Sequence, residues 1–192
     1  IKQIKPVLPV LTRKNTVVPF ITCDEMFAYN EDKNLSLWEL AVRYESIRGN
    51  ITSAEVLAKM EQIRIILKNA VETGLKGTQF EDRILGPQSV KFKSMMEDRK
   101  LISGDVLNRI IMYVSAIMEV KSSMGVIVAA PTAGSCGAMP GAVLGVADSL
   151  GLSDEETVQA LMIAGLTAMA TSVTSAAETV DPAGRRTAIS LY

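Results

Sequence analysis

Residues 103–124, SGDVLNRIIMYVSAIMEVKSSM, contain the helical pattern that decides the fold. Apolar side chains recur there at intervals of three and four residues, the period of an α-helix. They form two adjacent stripes, the first being Val106, Ile110, Tyr113 and Ile117 and the second Leu107, Ile111, Val114 and Met118. Two adjacent stripes predict a helix, capped by Ser103, that is buried over much of its circumference.

Working outward, a Ser or Thr followed three residues later by Glu is typical of a helix start. Three such pairs occur, namely Ser36 with Glu39, Thr52 with Glu55, and Ser153 with Glu156. They predict helices over 37–48, from Thr52 to Gly74, and from Ser153 through about residue 170. Because no stretch alternates with period two, the prediction is an all-α fold, with an irregular N-terminal arm over 1–34 and a helical domain over 35–192. Residues 75–100 are interpreted as polar segments around a turn at Gly86-Pro87.

Composition excludes several classes of function. The 192 residues carry 20 basic and 21 acidic side chains, so no strong field favours nucleic acid or an anionic membrane surface. The two long uncharged stretches, 122–147 and 158–177, are interrupted by Pro and Gly or diluted by polar residues, so we expect buried helices rather than membrane spans. The absence of histidine excludes a Ser-His or Cys-His catalytic pair within the chain. Two cysteines without CxxC spacing favour reduced thiols and a cytoplasmic location.

The loop that follows the long helix, AAPTAGSCGAMPG at 129–141, is built from small residues. Gly134 and Gly137 lack a Cβ, and successive N–H groups at a helix start bind carboxylates well, so the loop favours a small anionic ligand. The same composition would also suit close contact between helices, as we expect for Gly141, Ala142 and Gly145. The residues alone leave both interpretations open.

Three segments together resemble the α chain of iron-sulfur L-serine dehydratases. They are SGDV at 103–106, EVKSSMG at 119–125 and VAAPTAGSCG at 128–137. The resemblance implies a helical serine dehydratase α-type domain with this Gly-rich loop between buried helices. It also implies deamination of L-serine to pyruvate and ammonia, with a [4Fe-4S] cluster as Lewis acid and a β-type chain or domain as partner. The substrate-binding residues that it implies are Thr132, Ala133, Gly134, Ser135, Cys136 and Gly137.

The sequence departs from that family where the cluster cysteines are expected, after the helix containing Val158. Residues 174–182 read TSAAETVDP and contain no cysteine. We therefore expect a shortened chain that lacks the cysteine segment, binds no cluster by itself and is inactive alone, and we assign it neither catalytic residues nor metal ligands. A homo-oligomer is compatible with the sequence.

Two alternatives are kept beside the enzyme hypothesis. The first is a non-catalytic binding or assembly module that has kept the helical core and lost the cluster. The second is an unrelated enzyme with Asp105 or Glu119 as general base, although carboxylates in such positions more often cap or pair.

Overall fold

The computed structural model describes residues 16–81, 86–130 and 135–177, with side chains through Met169. These residues form helices and no strand, which confirms the all-α prediction. None of their helices is both long enough and apolar enough to cross a membrane. The helices are α1 (Cys23–Asn30), α2 (Leu37–Gly49), α3 (Ser53–Lys76), α4 (Ser89–Glu97), α5 (Asp105–Ser122), α6 (Ala138–Leu150) and α7 (Asp154–Ala177).

Four helices begin with a Glu carboxylate that accepts the backbone N–H of a Ser or Thr three residues earlier. The N···O distances are 2.8 Å at Ser36, 2.8 Å at Thr52 and 2.7 Å at Ser153, which confirms the three predicted helix starts. A fourth pair, Thr22 with Glu25, begins α1. The prediction of an irregular arm is therefore wrong for residues 23–30, where a short helix with one buried side chain offers no apolar stripe to detect. Residues 1–15 of that arm lie outside the described part.

The chain divides into two compact units. Unit 1 comprises residues 1–62 and 162–192, and unit 2 comprises residues 63–161. In unit 1 the Phe20 ring packs between Tyr29 and Tyr44, with centroid distances of 5.7 and 5.3 Å. Aromatic pairs at such distances contribute about 0.5–1.5 kcal/mol beyond the area that they bury.

An ion pair is buried within α2 of unit 1. The Arg48 guanidinium lies 2.5 Å from the Glu45 carboxylate, and the two side chains are 3% and 0% exposed. Each charge compensates the other, so removing either one alone would cost about 3–5 kcal/mol. Burial raises the pKa of the neighbouring Tyr44.

In unit 2, α5 is buried along one side only. Its buried residues are Met112, Ala116, Ile117 and Val120, none of which lies in the first seven residues of the helix. Val106, Leu107 and Ile111 are 45%, 61% and 40% exposed, so the prediction of burial around most of the circumference is wrong for the first half. The helix also begins one residue later than predicted, with Gly104 as its N-cap.

Gly74 in unit 2 has a different role from the one that the sequence suggested. A Cβ on Gly74 would lie 2.6 Å from Cα of Ala116, so this glycine allows α3 and α5 to touch. The prediction that Gly74 ends α3 is wrong. The helix continues to Lys76 and is followed by Gly77 with φ +97°. Residues 75–100 also contain α4, which the sequence analysis did not assign.

Candidate functional site

The candidate site is the loop between α5 and α6 in unit 2. The chain leaves α5 through a tight turn in which Met124 has φ 55° and the Gly125 N–H donates to the Val120 carbonyl at 2.8 Å. A stretch without regular secondary structure follows as far as Ala130, which is 6% exposed. Thr132, Ala133 and Gly134, half of the predicted substrate-binding set, lie outside the described residues.

Ser135 ties the two ends of this loop together. Its hydroxyl donates to the Ala130 carbonyl at 2.8 Å, across the four intervening residues. A neutral hydrogen bond of this kind contributes about 0.5–1.5 kcal/mol, and losing it would leave a buried carbonyl without this donor. The geometry makes Ser135 a residue that holds the loop closed.

The Cys136 thiol points into the core of unit 2. The residue is 0% exposed, and its Sγ lies 3.9 Å from Sδ of Met118 on α5. Because the 0% exposure covers the whole residue, neither the thiol nor the backbone of Cys136 is open to a ligand in this structure.

Glycines at intervals of four residues bring α6 against α5. A Cβ on Gly137 would lie 2.7 Å from Cγ of Met118, and a Cβ on Gly141 would lie 2.7 Å from N of Val114. A Cβ on Gly145 would lie 3.0 Å from Cα of Ile110. Close helix contact at Gly141 and Gly145 is thus confirmed. The contact extends to Gly137. The spacing of four residues between the three glycines could have revealed that Gly137 also packs against α5.

The start of α6 has no side-chain cap from its N-cap residue. Gly137 is the N-cap residue, and no side chain of the described residues caps this helix. The first intrahelical bond runs from the Gly141 N–H to the Gly137 carbonyl at 2.8 Å. Pro140 has no N–H, so Ala138 and Met139 carry the first N–H groups of this helix. Such groups favour a carboxylate.

Glu119 on α5 is a structural carboxylate. It accepts the backbone N–H groups of Gln88 and Ser89 at 2.5 and 2.7 Å, and the Ser89 hydroxyl at 2.6 Å. It therefore caps α4, as a negative charge at a helix start should. These contacts support the capping interpretation of Glu119 over a general base.

Tyr113 on α5 donates its phenolic hydrogen to the Asp148 carboxylate on α6. Burial of the ring and this hydrogen bond raise the pKa of Tyr113 to about 12, against a smaller opposing effect of Arg109. Tyr113 is therefore protonated at neutral pH and links the two helices.

The residues present do not fit a [4Fe-4S] cluster, which cysteine thiolates normally hold. The sequence has two cysteines, of which Cys23 is exposed in unit 1 and Cys136 is buried in unit 2. Across the described ranges no three His, Cys, Asp or Glu side chains are grouped so that they could hold a metal ion. We derive no chemical step through a cluster.

Comparison with known proteins matches residues 32–179 to the serine dehydratase alpha chain family. The chain belongs to that family. It is 26% identical over 146 residues to a probable L-serine dehydratase alpha chain of Bacillus subtilis (strain 168), covering 76% of this chain and 49% of the relative. It is 24% identical over 139 residues to an L-serine dehydratase alpha chain of Peptoniphilus asaccharolyticus, covering 72% and 47%. The chain thus spans about half the length of the curated relatives that it matches.

Proposed function

We propose that this chain is the substrate-binding α portion of an L-serine dehydratase, which deaminates L-serine to pyruvate and ammonia. The single observation that carries the proposal is the family match, because it includes both the loop and the helices on either side of it. The relatives are named for L-serine dehydration, and this proposal extends that activity to an assembly containing this chain.

The loop contributes binding in this proposal, and the supporting feature is the start of α6. The N–H groups of Ala138 and Met139 in the first turn of α6 suit the carboxylate of L-serine, and the Ser135 hydroxyl keeps the preceding loop closed. Thr132, Ala133 and Gly134 complete the proposed substrate-binding residues, and Cys136 and Gly137 hold the end of the loop against Met118 of α5.

We further propose that a β-type chain or domain completes the site and that metal ligands come from protein outside these 192 residues. The two cysteines are too few for a cluster, so the chain by itself should be inactive. The same observation favours a second candidate, a non-catalytic binding or assembly module. The two candidates differ in whether addition of a β-type partner with its cysteine-bearing segment produces pyruvate.

Calorimetric titration of the chain with L-serine tests the binding role. We expect saturable heat, and affinity about tenfold weaker in Ser135→Ala, because a loss near 1.4 kcal/mol follows from opening the loop. Ser149→Ala is the matched control, since its hydroxyl also donates to a carbonyl, that of Gly145 at 2.7 Å, but within α6. Absence of heat with L-serine would contradict the substrate-binding role.

Pyruvate release by the anaerobically purified protein tests the assembly. We expect none from the chain alone and measurable release after a β-type partner with a cysteine-bearing segment is added. Release by the chain alone, with stoichiometric iron and sulfide, would refute the need for outside ligands. No release from the complete mixture, with L-serine binding intact, would favour the assembly module.

A further inference from the structure

A cleft lies in unit 1, and its described lining residues are all different from those of the loop in unit 2. Its volume is about 580 Å³, within the range of about 300–1,000 Å³ typical of small-ligand sites. Helices α1, α2 and α3 and the segment between the first two contribute its walls. The apolar part of the lining includes Leu35, Trp38, Val42 and Leu57, and the polar part includes Lys33, Glu39 and Arg43.

The two positively charged side chains of this cleft, Lys33 and Arg43, differ in how many hydrogen bonds they make. Lys33 is held by its neighbours, since its ammonium group lies 2.6 Å from the Asp32 carboxylate and 2.9 Å from the Tyr29 carbonyl. Arg43 makes one hydrogen bond, from Nε to the Tyr29 hydroxyl at 3.3 Å. Its two terminal NH₂ groups have no partner in the part of the chain that the structure describes. Arg43 thus offers a planar pair of donors that matches a carboxylate.

An acidic residue restricts which anions suit the cleft. The Glu39 carboxylate accepts from Ser36, and these hydrogen bonds lower the pKa of Glu39, so it is ionised at neutral pH. One fixed negative charge near one available guanidinium repels a dianion more than a monoanion. The apolar walls beside Trp38 favour a ligand with an apolar body.

We propose that the unit 1 cleft binds a monocarboxylate with an apolar group, its carboxylate on Arg43 and its apolar part against Trp38. Either a free small acid or the C-terminal residue of a polypeptide has this chemistry. The proposal concerns a site other than the loop, so it stands or falls independently of L-serine binding.

Trp38 allows a direct test because it is the sole tryptophan of the chain. Its fluorescence would be followed during titration of the full chain with 3-phenylpropionate and with the neutral 3-phenylpropanamide. We expect a saturable change with the acid and a response at least tenfold weaker with the amide. Arg43→Ala should weaken binding of the acid by about tenfold to a hundredfold, the range for a charge-assisted hydrogen bond.

Matched variants and ligands make each outcome decisive. Lys68→Ala removes one exposed positive charge outside the cleft and should bind as the unaltered chain does. The proposal is overturned by no saturable change with the acid, by equal responses to acid and amide, or by unchanged affinity in Arg43→Ala. Tighter binding of phenyl phosphate would overturn the assignment to a monocarboxylate.

The source of the ligand is distinguished by a tripeptide, Gly-Gly-Phe, with a free or an amidated terminus. Tighter binding of the free tripeptide than of 3-phenylpropionate assigns the cleft to a chain terminus. Weaker binding assigns it to a free small acid.

Discussion

Replacing Gly141 by Ala tests whether close contact between α5 and α6 requires glycine. A Cβ at this position would lie 2.7 Å from N and 2.8 Å from Cα of Val114. Ordinary contact begins at 3.4 Å, so these atoms are too close by about 0.6–0.7 Å. Both are backbone atoms of α5, which cannot turn aside as a side chain could. The two helices must therefore separate.

The expected cost is set by two opposing effects. Overpacking costs about 1–3 kcal/mol, and the rigid neighbours favour the upper end. The higher helix propensity of alanine offsets about 1 kcal/mol of this cost. The free energy of unfolding should fall by about 2 kcal/mol, which for a chain of this size lowers Tm by about 4–8 °C.

Urea and thermal unfolding followed by far-ultraviolet circular dichroism would measure this loss. Gly145→Ala should cost less, because its nearest neighbours lie at 3.0–3.1 Å. Gly86→Ala is the control: among the described residues no atom lies within 4 Å of its Cβ, so it should be neutral or stabilising by up to about 1 kcal/mol. A Gly141→Ala variant as stable as the unaltered chain would refute the reasoning.

Three further predictions concern polar contacts of unit 2. Glu119→Gln should lower the free energy of unfolding by about 1 kcal/mol in urea, because a neutral amide oxygen accepts the N–H groups of Gln88 and Ser89 less strongly than the carboxylate does. Because the pKa of Tyr113 is raised from 10.0 to about 12, the folded chain holds this proton more tightly than the unfolded chain does. The stability that this difference provides is present below pH 10 and is lost as the pH rises through 12. The near-ultraviolet absorbance of tyrosinate should show one residue titrating near pH 12. Asp154→Asn should lower the free energy of unfolding in urea by about 1 kcal/mol, because the buried Arg64 guanidinium loses a carboxylate at 2.8 Å. The effect is limited because the Asp154 carboxylate is largely exposed.

Controls for these three use exposed or isosteric changes. Glu97→Gln and Glu155→Gln alter exposed carboxylates and should leave stability within about 0.5 kcal/mol. Tyr113→Phe should remove the titration near pH 12. Equal stability of Glu119→Gln and Glu97→Gln, a tyrosinate titration near pH 12 that is as large in Tyr113→Phe as in the unaltered chain, or no change in Asp154→Asn would each contradict the corresponding contact.

The family was recognisable from the sequence because the loop at 129–141 and the segments before it occur together in fixed order. The position of the predicted site residues was only partly recoverable. Small residues suit both the approach of a ligand and the packing of helices, so the sequence does not distinguish the two. Only the position of α5 in the fold shows that Gly137 packs on Met118 and that Cys136 is buried. The unit 1 cleft gave no linear motif, because its walls come from three helices and the segment joining two of them.

By itself the sequence determined where several helices begin, since a cap such as Ser153 with Glu156 is satisfied within four residues. Tertiary structure alone decided which side of α5 is buried and which glycines touch another helix. It also decided that Glu119 caps α4, although 30 residues separate Glu119 from Ser89. The physical reason is range: a cap is completed by its own turn, whereas burial and pairing depend on surfaces that only folding brings together.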